Sequence, residues 1–379
     1  MQAGTASVSA KEDEHSTSRH SSRTSEPSGR RIDVIDPLRG IAALSVAWFH
    51  FTHGSPTYLP EGWLKSSGTY GWMGVEVFFV ISGFVLPFSM YAGGYRLRQH
   101  WLTFFKKRLT RLEPPYLVSI LVALLLIFLS ARAPGFHGQQ PRLRISDVLQ
   151  HIAYLNAFTG GDWLNPVYWT LAVEFQFYFA VSLLFPLLVS KDRRISCASL
   201  ATVALLSLAS SNTSLVILYL DIFAFGIATF LFYVGLWPRQ RYLVTLGGLV
   251  ALAWAVHGAL IAIVCLSVAL IIAYARWKPH GLFVRLGAIS YSLYLLHVPI
   301  GGRVINLGIR IPYSLSWRLV FLLLAVVVSI AASLLFNRWV ERPAQRWSSS
   351  IKYEREPGHP IAEAPVPLLP GSAQTEPSL

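Results

Sequence analysis

The sequence predicts an all-α polytopic membrane protein, a bundle of about ten transmembrane helices with both termini cytoplasmic. Three observations predict it. Of 379 residues, 53% are hydrophobic and only 13% charged, which is too apolar for a water-soluble domain. The apolar residues fall in runs near 36–52, 72–91, 114–132, 165–189, 195–211, 214–235, 242–256, 258–275, 284–304 and 317–339, several of them short. Each run satisfies its own backbone in lipid as a helix. Threaded from a cytoplasmic N-terminus, these runs leave 24 of the 32 Lys and Arg residues on the inner side and seven outside, with Arg39 inside the first span. That is the asymmetry of the positive-inside rule.

In chain order, residues 1–31 read as a disordered cytoplasmic tail, too polar to bury a core. Asp36 is expected to cap the first span and Pro37 to sit in its first turn. The first span has no cleavable leader before it and is expected to act as the insertion signal. Residues 32–347 form the transmembrane domain, and 348–379 a Pro-rich disordered tail. His257-Gly258 splits 242–275 into two short helices; one long helix would reverse every later loop and turn the Arg-rich C-terminal segment outward. The net charge of +13 sits between spans with no nucleic-acid motif, so nucleic acid is not an expected partner. Cys197 and Cys265 lie in apolar stretches without a CxxC partner, and no disulfide framework or metal site is indicated.

Ionisable groups inside the spans are the candidates for chemistry, because a charge at mid-bilayer costs at least ~2.5–3.5 kcal/mol. In DPLRGIAALSVAWFH (36–50), His50 follows Arg39 by eleven residues, which returns it to within about 20° of the same helix face, roughly 16 Å along the axis. The bland alternative is a snorkelling arginine and a hydrogen-bonded core histidine. Helix geometry puts His50, Glu76, Glu174 and His297, from four different spans, at similar depth in the outer half. A histidine with a carboxylate neighbour is a general-base arrangement, and Glu76 or Glu174 is the expected partner of His50. In FFKKRLTRLEPPY (104–116), an inner loop, Arg108 and Arg111 suit phosphate oxygens, with plain topogenic charge as the alternative. Arg39 would extend that patch. Tyr291, Tyr294 and His297 recur at i, i+3, i+6 along one face, where His297 assists or only lines a cavity.

Five motifs occur in order: Arg39 and His50 as R-x10-H; GWMGVEVFFVISGF (71–84); Arg108, Arg111, Pro114 and Tyr116 as RxxRxxPxY; WTLAVEFQFY (169–178); and Ser292, Leu293, Tyr294, Leu295 and His297 as SLYLxH. In this set the chain resembles the acyltransferase 3 family of integral membrane acyltransferases, from about Ile32 to Trp347. The resemblance implies a ten-helix fold that moves an acyl group, commonly acetyl, from cytoplasmic acyl-CoA to hydroxyls of sugars in surface polysaccharides, lipo-oligosaccharides or related acceptors. It implies acyl-CoA as co-substrate with no tightly bound cofactor, a carbohydrate or glycolipid acceptor, membrane lipids as surroundings, and a bacterial inner membrane. Thr170 and Leu112 stand where the family often has Ser and Ile. The expected roles are His50 as general base or acyl carrier, Glu76 or Glu174 fixing its tautomer, His297 assisting, and Arg39, Arg108 and Arg111 holding the donor. A proton-coupled transporter or flippase using the same His and Glu groups as a relay is the alternative, and a membrane sensor a third.

Overall fold

The computed structural model describes residues 33–133, 144–276 and 280–353. The tail 1–31 and residues 354–379 of the second tail lie outside them. No strand occurs among the described residues. In chain order the helices are α1 (Ile35–His53), α2 (Trp63–Ser66), α3 (Gly74–Ala92), α4 (Leu97–Ala131), α5 (Ile145–Ile152), α6 (Asn156–Thr159), α7 (Tyr168–Leu188) and α8 (Arg193–Leu205). They continue as α9 (Leu220–Tyr233), α10 (Arg239–His257), α11 (Ala259–Tyr274), α12 (Gly281–Ala288), α13 (Ser290–Leu296), α14 (Gly302–Ile309), α15 (Leu315–Phe336) and α16 (Arg342–Ser350).

Among the described residues, five helical stretches are long and apolar enough to cross a membrane: Trp63–Ala92, Leu97–Ala131, Tyr168–Leu188, Val216–Tyr233 and Leu315–Ser350. A sixth exists if Gly281–Ala288 and Ser290–Ile309, bent by 54°, form one span. All ten expected runs fall on helix, but α8 and α11 have only 13 and 16 residues. Charged and polar groups dilute α1 and α10, which begin IDPLR and RQRY.

Local chemistry sets the breaks. Gly258 has φ 93°, a left-handed conformation that side chains resist, so α10 and α11 separate there as expected. Asp36 is not the cap: α1 starts at Ile35 after Val34, and Asp36 and Pro37 lie in its first turn. The segment 104–116 is not a loop either. It belongs to the 35-residue α4, which runs through Pro114 and Pro115. At the other end, α16 continues past the expected boundary at 347, and the Tyr353 ring packs 4.9 Å from that of His100.

Small residues let the central helices touch. A Cβ at Gly83 of α3 would collide with the Phe223 carbonyl of α9, and one at Gly226 of α9 with the Val80 carbonyl of α3. Gly40 of α1 meets the backbone of α12 at Leu286 and Gly287 in the same way. In lipid, where apolar burial gives no advantage over the acyl chains, such close backbone approach is the main source of helix association. Two polar locks hold the C-terminal helices. The buried Glu341 carboxylate accepts from Ser292 Oγ at 2.5 Å, Asn337 Nδ2 at 2.9 Å and Gln345 Nε2 at 2.8 Å. Arg318, counted above among outer charges, is buried: it donates to the Gly308 carbonyl at 2.8 Å and lies 5.0 Å from the Tyr58 ring.

Gly83→Val should lower the unfolding free energy in detergent by about 1–3 kcal/mol or prevent folding, since the new side chain meets backbone. Gly247→Ala is the control. Open space surrounds Gly247, so its melting temperature should hold or rise.

Candidate active site

The sequence puts His50 and His297 at similar depth in different spans, and the fold brings them into contact. α13 ends in a π turn, His297–Gly301, that contains Pro299. Proline lacks the N–H that a regular turn would use, and the widened turn re-aims the His297 ring. Gly301 lets this turn press on α1, because a Cβ there would collide with Phe51 and Ser329. His297 Nε2 then lies 3.2 Å from His50 Nδ1.

Hydrogen positions follow from the partners. His50 Nδ1 is 2.9 Å from the Val46 carbonyl, and His297 Nδ1 is 2.9 Å from the Leu293 carbonyl. A carbonyl only accepts, so both rings carry their hydrogen on Nδ1. The His50 Nδ1–H is therefore shared between the Val46 oxygen and the His297 Nε2 lone pair. His50 Nε2 is left as a bare lone pair with no partner among the described residues. His297 is fully buried, whereas His50 is part-exposed. Phe49 and Phe51 sit edge-on to His50 and His297 at 5.3 and 6.2 Å.

Next to this pair is a cavity of about 110 Å³. Its lining includes Arg39 from α1, Arg108 and Arg111 from α4, Glu174 from α7, and Tyr291 and Tyr294 from α13. The i, i+3 spacing of the two α4 arginines puts both on the face that lines the cavity. Arg108 donates to Ser89 Oγ at 2.5 Å, its Nε is buried without a partner, and Arg39 and Arg108 both repel Arg111. No carboxylate pairs with these three guanidiniums among the described residues. Tyr294 joins the two regions: it lines the cavity, bonds Thr170 Oγ1 at 2.8 Å, and its ring is 6.0 Å from that of His297.

An acyltransferase domain model, that of the acyltransferase 3 family, matches residues 32–338. The chain belongs to the acyltransferase 3 family. Its relatives include the O-acetyltransferase OatA of Staphylococcus aureus, 31% identical over 175 residues, or 43% of this chain and 25% of that protein. The putative membrane-bound transacylase BcsY of Komagataeibacter xylinus is 34% identical over 184 residues, 45% of this chain and 41% of its own. The acyltransferase MdmB of Streptomyces mycarofaciens is 30% identical over 169 residues, covering 44% and 41%. The matched stretch thus spans less than half of each of these relatives. No solved structure matches.

Within this acyltransferase 3 fold, the seven expected site residues fall in three places. His50 and His297 form the imidazole pair. Arg39, Arg108, Arg111 and Glu174 share the cavity, where Glu174 Oε1 accepts from Ser82 Oγ at 2.9 Å. Glu76 is elsewhere. It is buried with Oε2 unpartnered, on the side of α3 where it acts electrostatically on Tyr219, His257 and Cys265. The expected pairing of His50 with Glu76 or Glu174 is therefore replaced by its contact with His297. Equal depth on two helices does not give equal azimuth, and no hydrogen bond joins Glu76 to His50 among the described residues. Two groups escaped the sequence reading: Asp221, fully buried and 3.1 Å from His257 Nε2, and Glu341, whose bond to Ser292 anchors the helix that carries His297. Asp221 sits in the apolar run LYLDIFAF and was open to the same buried-charge reasoning as Glu174.

Nitrogen-15 spectra of the histidine-labelled protein should show His50 with a protonated Nδ1 and an unprotonated Nε2, the minority tautomer of free imidazole. Removing the acceptor in His297→Phe should leave that tautomer in place through Val46 but shift the His50 Nδ1 resonance.

Proposed function

We propose that this membrane acyltransferase moves an acyl group, acetyl in the simplest case, from acyl-CoA to a hydroxyl of a sugar in a surface polysaccharide, lipo-oligosaccharide or related acceptor. It would do so from a ten-span bundle in the bacterial inner membrane with both termini cytoplasmic. The observation that carries this reading is the cavity lined by three unpaired guanidiniums that ends one helical turn from the imidazole pair. Arginine forks match phosphate oxygens, and coenzyme A is a phosphate-rich donor. A cavity of about 110 Å³ takes the acyl-thioester end and leaves the nucleotide at its mouth. The name of OatA, an O-acetyltransferase, is consistent with oxygen as the acceptor atom.

In the reaction, His50 Nε2 takes the acceptor O–H proton as that oxygen attacks the thioester carbonyl. The C–S bond breaks, and the imidazolium returns the proton to the leaving thiolate. While His50 is charged, its Nδ1–H donates more strongly to His297 Nε2, so the partner imidazole spreads the positive charge without needing a carboxylate. The Tyr294–Thr170 bond must open for the thioester to reach Nε2. Glu174, held by Ser82, offsets part of the arginine charge near the reacting carbonyl.

Transfer of radiolabelled acetyl from acetyl-CoA to envelope glycan in membranes tests the reading. His50→Ala should lower transfer by about 10²–10⁴-fold, the usual range for a lost general base, with the protein still inserted. Most of the wild-type rate surviving in that variant would remove His50 from the chemistry. His297→Gln, whose amide oxygen still accepts from Nδ1, should retain more transfer than His297→Phe. Arg108→Ala should raise the donor KM while leaving kcat closer to wild type, and an unchanged donor KM would take Arg108 out of the binding site.

A further inference from the structure

A second cleft, polar and separate from the arginine-lined cavity, has a volume of about 300 Å³ and lies between α5, α6 and the segment leading into α7, lined by Asp147, Gln150, His151, Asn156, Asp162 and Trp163. We propose that this cleft is the acceptor subsite and binds a saccharide; the proposal rests on the acyl-transfer reading above and adds where the sugar sits.

The walls are prebuilt and leave hydrogen-bonding capacity facing inward. His151, 1% exposed, is fixed at both nitrogens: Nδ1 donates to the Asp147 carbonyl at 2.6 Å, and Nε2 accepts from the Leu164 N–H at 2.9 Å. Its ring meets that of Trp163 edge-on at 5.7 Å. Asn156 is 3% exposed; its Nδ2 donates to the Asp162 carbonyl at 3.1 Å, and its Oδ1 has no partner among the described residues. A buried amide oxygen without a donor is costly unless a ligand or water supplies one. Gln150 uses Oε1 to accept from Thr159 Oγ1 at 3.0 Å, which leaves its Nε2 free to donate. The Asp162 carboxylate is exposed and unpaired among the described residues. A carboxylate, two amide faces and an indole are the donors, acceptors and stacking surface that a ring of hydroxyls requires, and a phosphate would instead be repelled by Asp147 and Asp162.

The surroundings favour a sugar that arrives at the membrane surface and is presented to the imidazoles. Ile145, Leu149 and Ile152 recur at i, i+4, i+7 and are exposed, while Asp147, Gln150 and His151 line the cleft from the opposite face of α5. Such a helix lies at a lipid interface with its apolar side down. The turn that folds α6 back on α5 holds Tyr154 at φ 55°, a left-handed conformation for a bulky residue, secured by stacking on Tyr116 at 4.9 Å and Phe175 at 5.1 Å. From the cleft, the next residue after Leu164 is Asn165, whose Nδ2 donates at 3.0 Å to the Leu295 carbonyl, two residues before His297.

Asp162→Ala and Trp163→Leu change exposed or half-exposed side chains and should fold. With acetyl-CoA as donor and a glycan extract of the host envelope as acceptor, each should raise the acceptor KM by about ten-fold, through the loss of a charged hydrogen bond at Asp162 and of the stacking face at Trp163, while the donor KM stays near wild type. Label in the organic-soluble fraction identifies a lipid-linked saccharide as the source, and label in the aqueous polymer identifies a free glycan. If both variants keep the wild-type acceptor KM, the cleft is not the subsite, although the acyl-transfer reading stands. If the wild-type protein labels no glycan at all, that reading fails and takes the subsite with it.

Discussion

The contact between His50 Nδ1 and His297 Nε2 joins the two imidazoles and reinforces the tautomer that the Val46 carbonyl sets, and the C-terminal helices are arranged to make it. Three features meet there. The Glu341–Ser292 bond anchors α13, Pro299 opens the π turn, and Gly301 lets that turn reach Phe51 of α1. Each alone is an ordinary membrane-helix device. Together they set a 3.2 Å contact between residues 247 apart in sequence. A second imidazole differs from a carboxylate as a partner, because it orients the base without holding a permanent opposite charge beside it. The pair can therefore be buried among Phe49, Phe51 and Tyr294 without the desolvation cost of an ion.

The arginine cavity depends on the opposite condition. Guanidiniums cannot shed their charge, and three of them around one small space repel each other. Glu174 lines the same cavity, with its Oε1 engaged by Ser82 and no ion pair to it among the described residues. Such a cluster is tolerable when an anion completes it. The continuity of α4 through this segment matters here: a single helix holds Arg108 and Arg111 at one turn's separation, so both line the cavity at fixed spacing.

The sequence made the helices legible because apolar runs, Gly258 and the charge asymmetry each act locally. Helical periodicity also put Tyr291 and Tyr294 on one stripe of α13, whereas the orientation of His297 depends on the π turn that begins there. The pairing of His50 was misjudged. Axial rise gives depth, but the rotation of α3 about its axis depends on contacts with α9 at Gly83 and Gly226, which only the fold displays. Glu76 consequently acts on His257 and Tyr219 and is not bonded to His50 among the described residues. The Arg108–Arg111 segment reads as a loop because it is basic and the apolar run begins only at residue 114, yet the helix extends through it to Leu97. Glu341 gave no signal. It lies 49 residues from Ser292 in a charged stretch, WVERP, that reads as a membrane boundary.

Buried histidines and acids also suit a proton relay, and the arrangement of charge separates the two uses. A relay needs neighbouring groups that exchange protons along a continuous line. Among the described residues, Asp221 and His257 bond to each other and His50 and His297 bond to each other; Glu76 acts electrostatically on His257 and on Tyr294, but no hydrogen bond joins the two pairs. The space that adjoins the imidazoles is walled by Arg39, Arg108 and Arg111, whose fixed positive charges would oppose a cation's passage and attract an anion. In the proposed reaction the same charges would stabilise the oxyanion formed as the acceptor oxygen attacks the donor carbonyl. An anionic donor held by the arginines, with His50 Nε2 taking the acceptor proton, would account for both features at once, which a proton path does not.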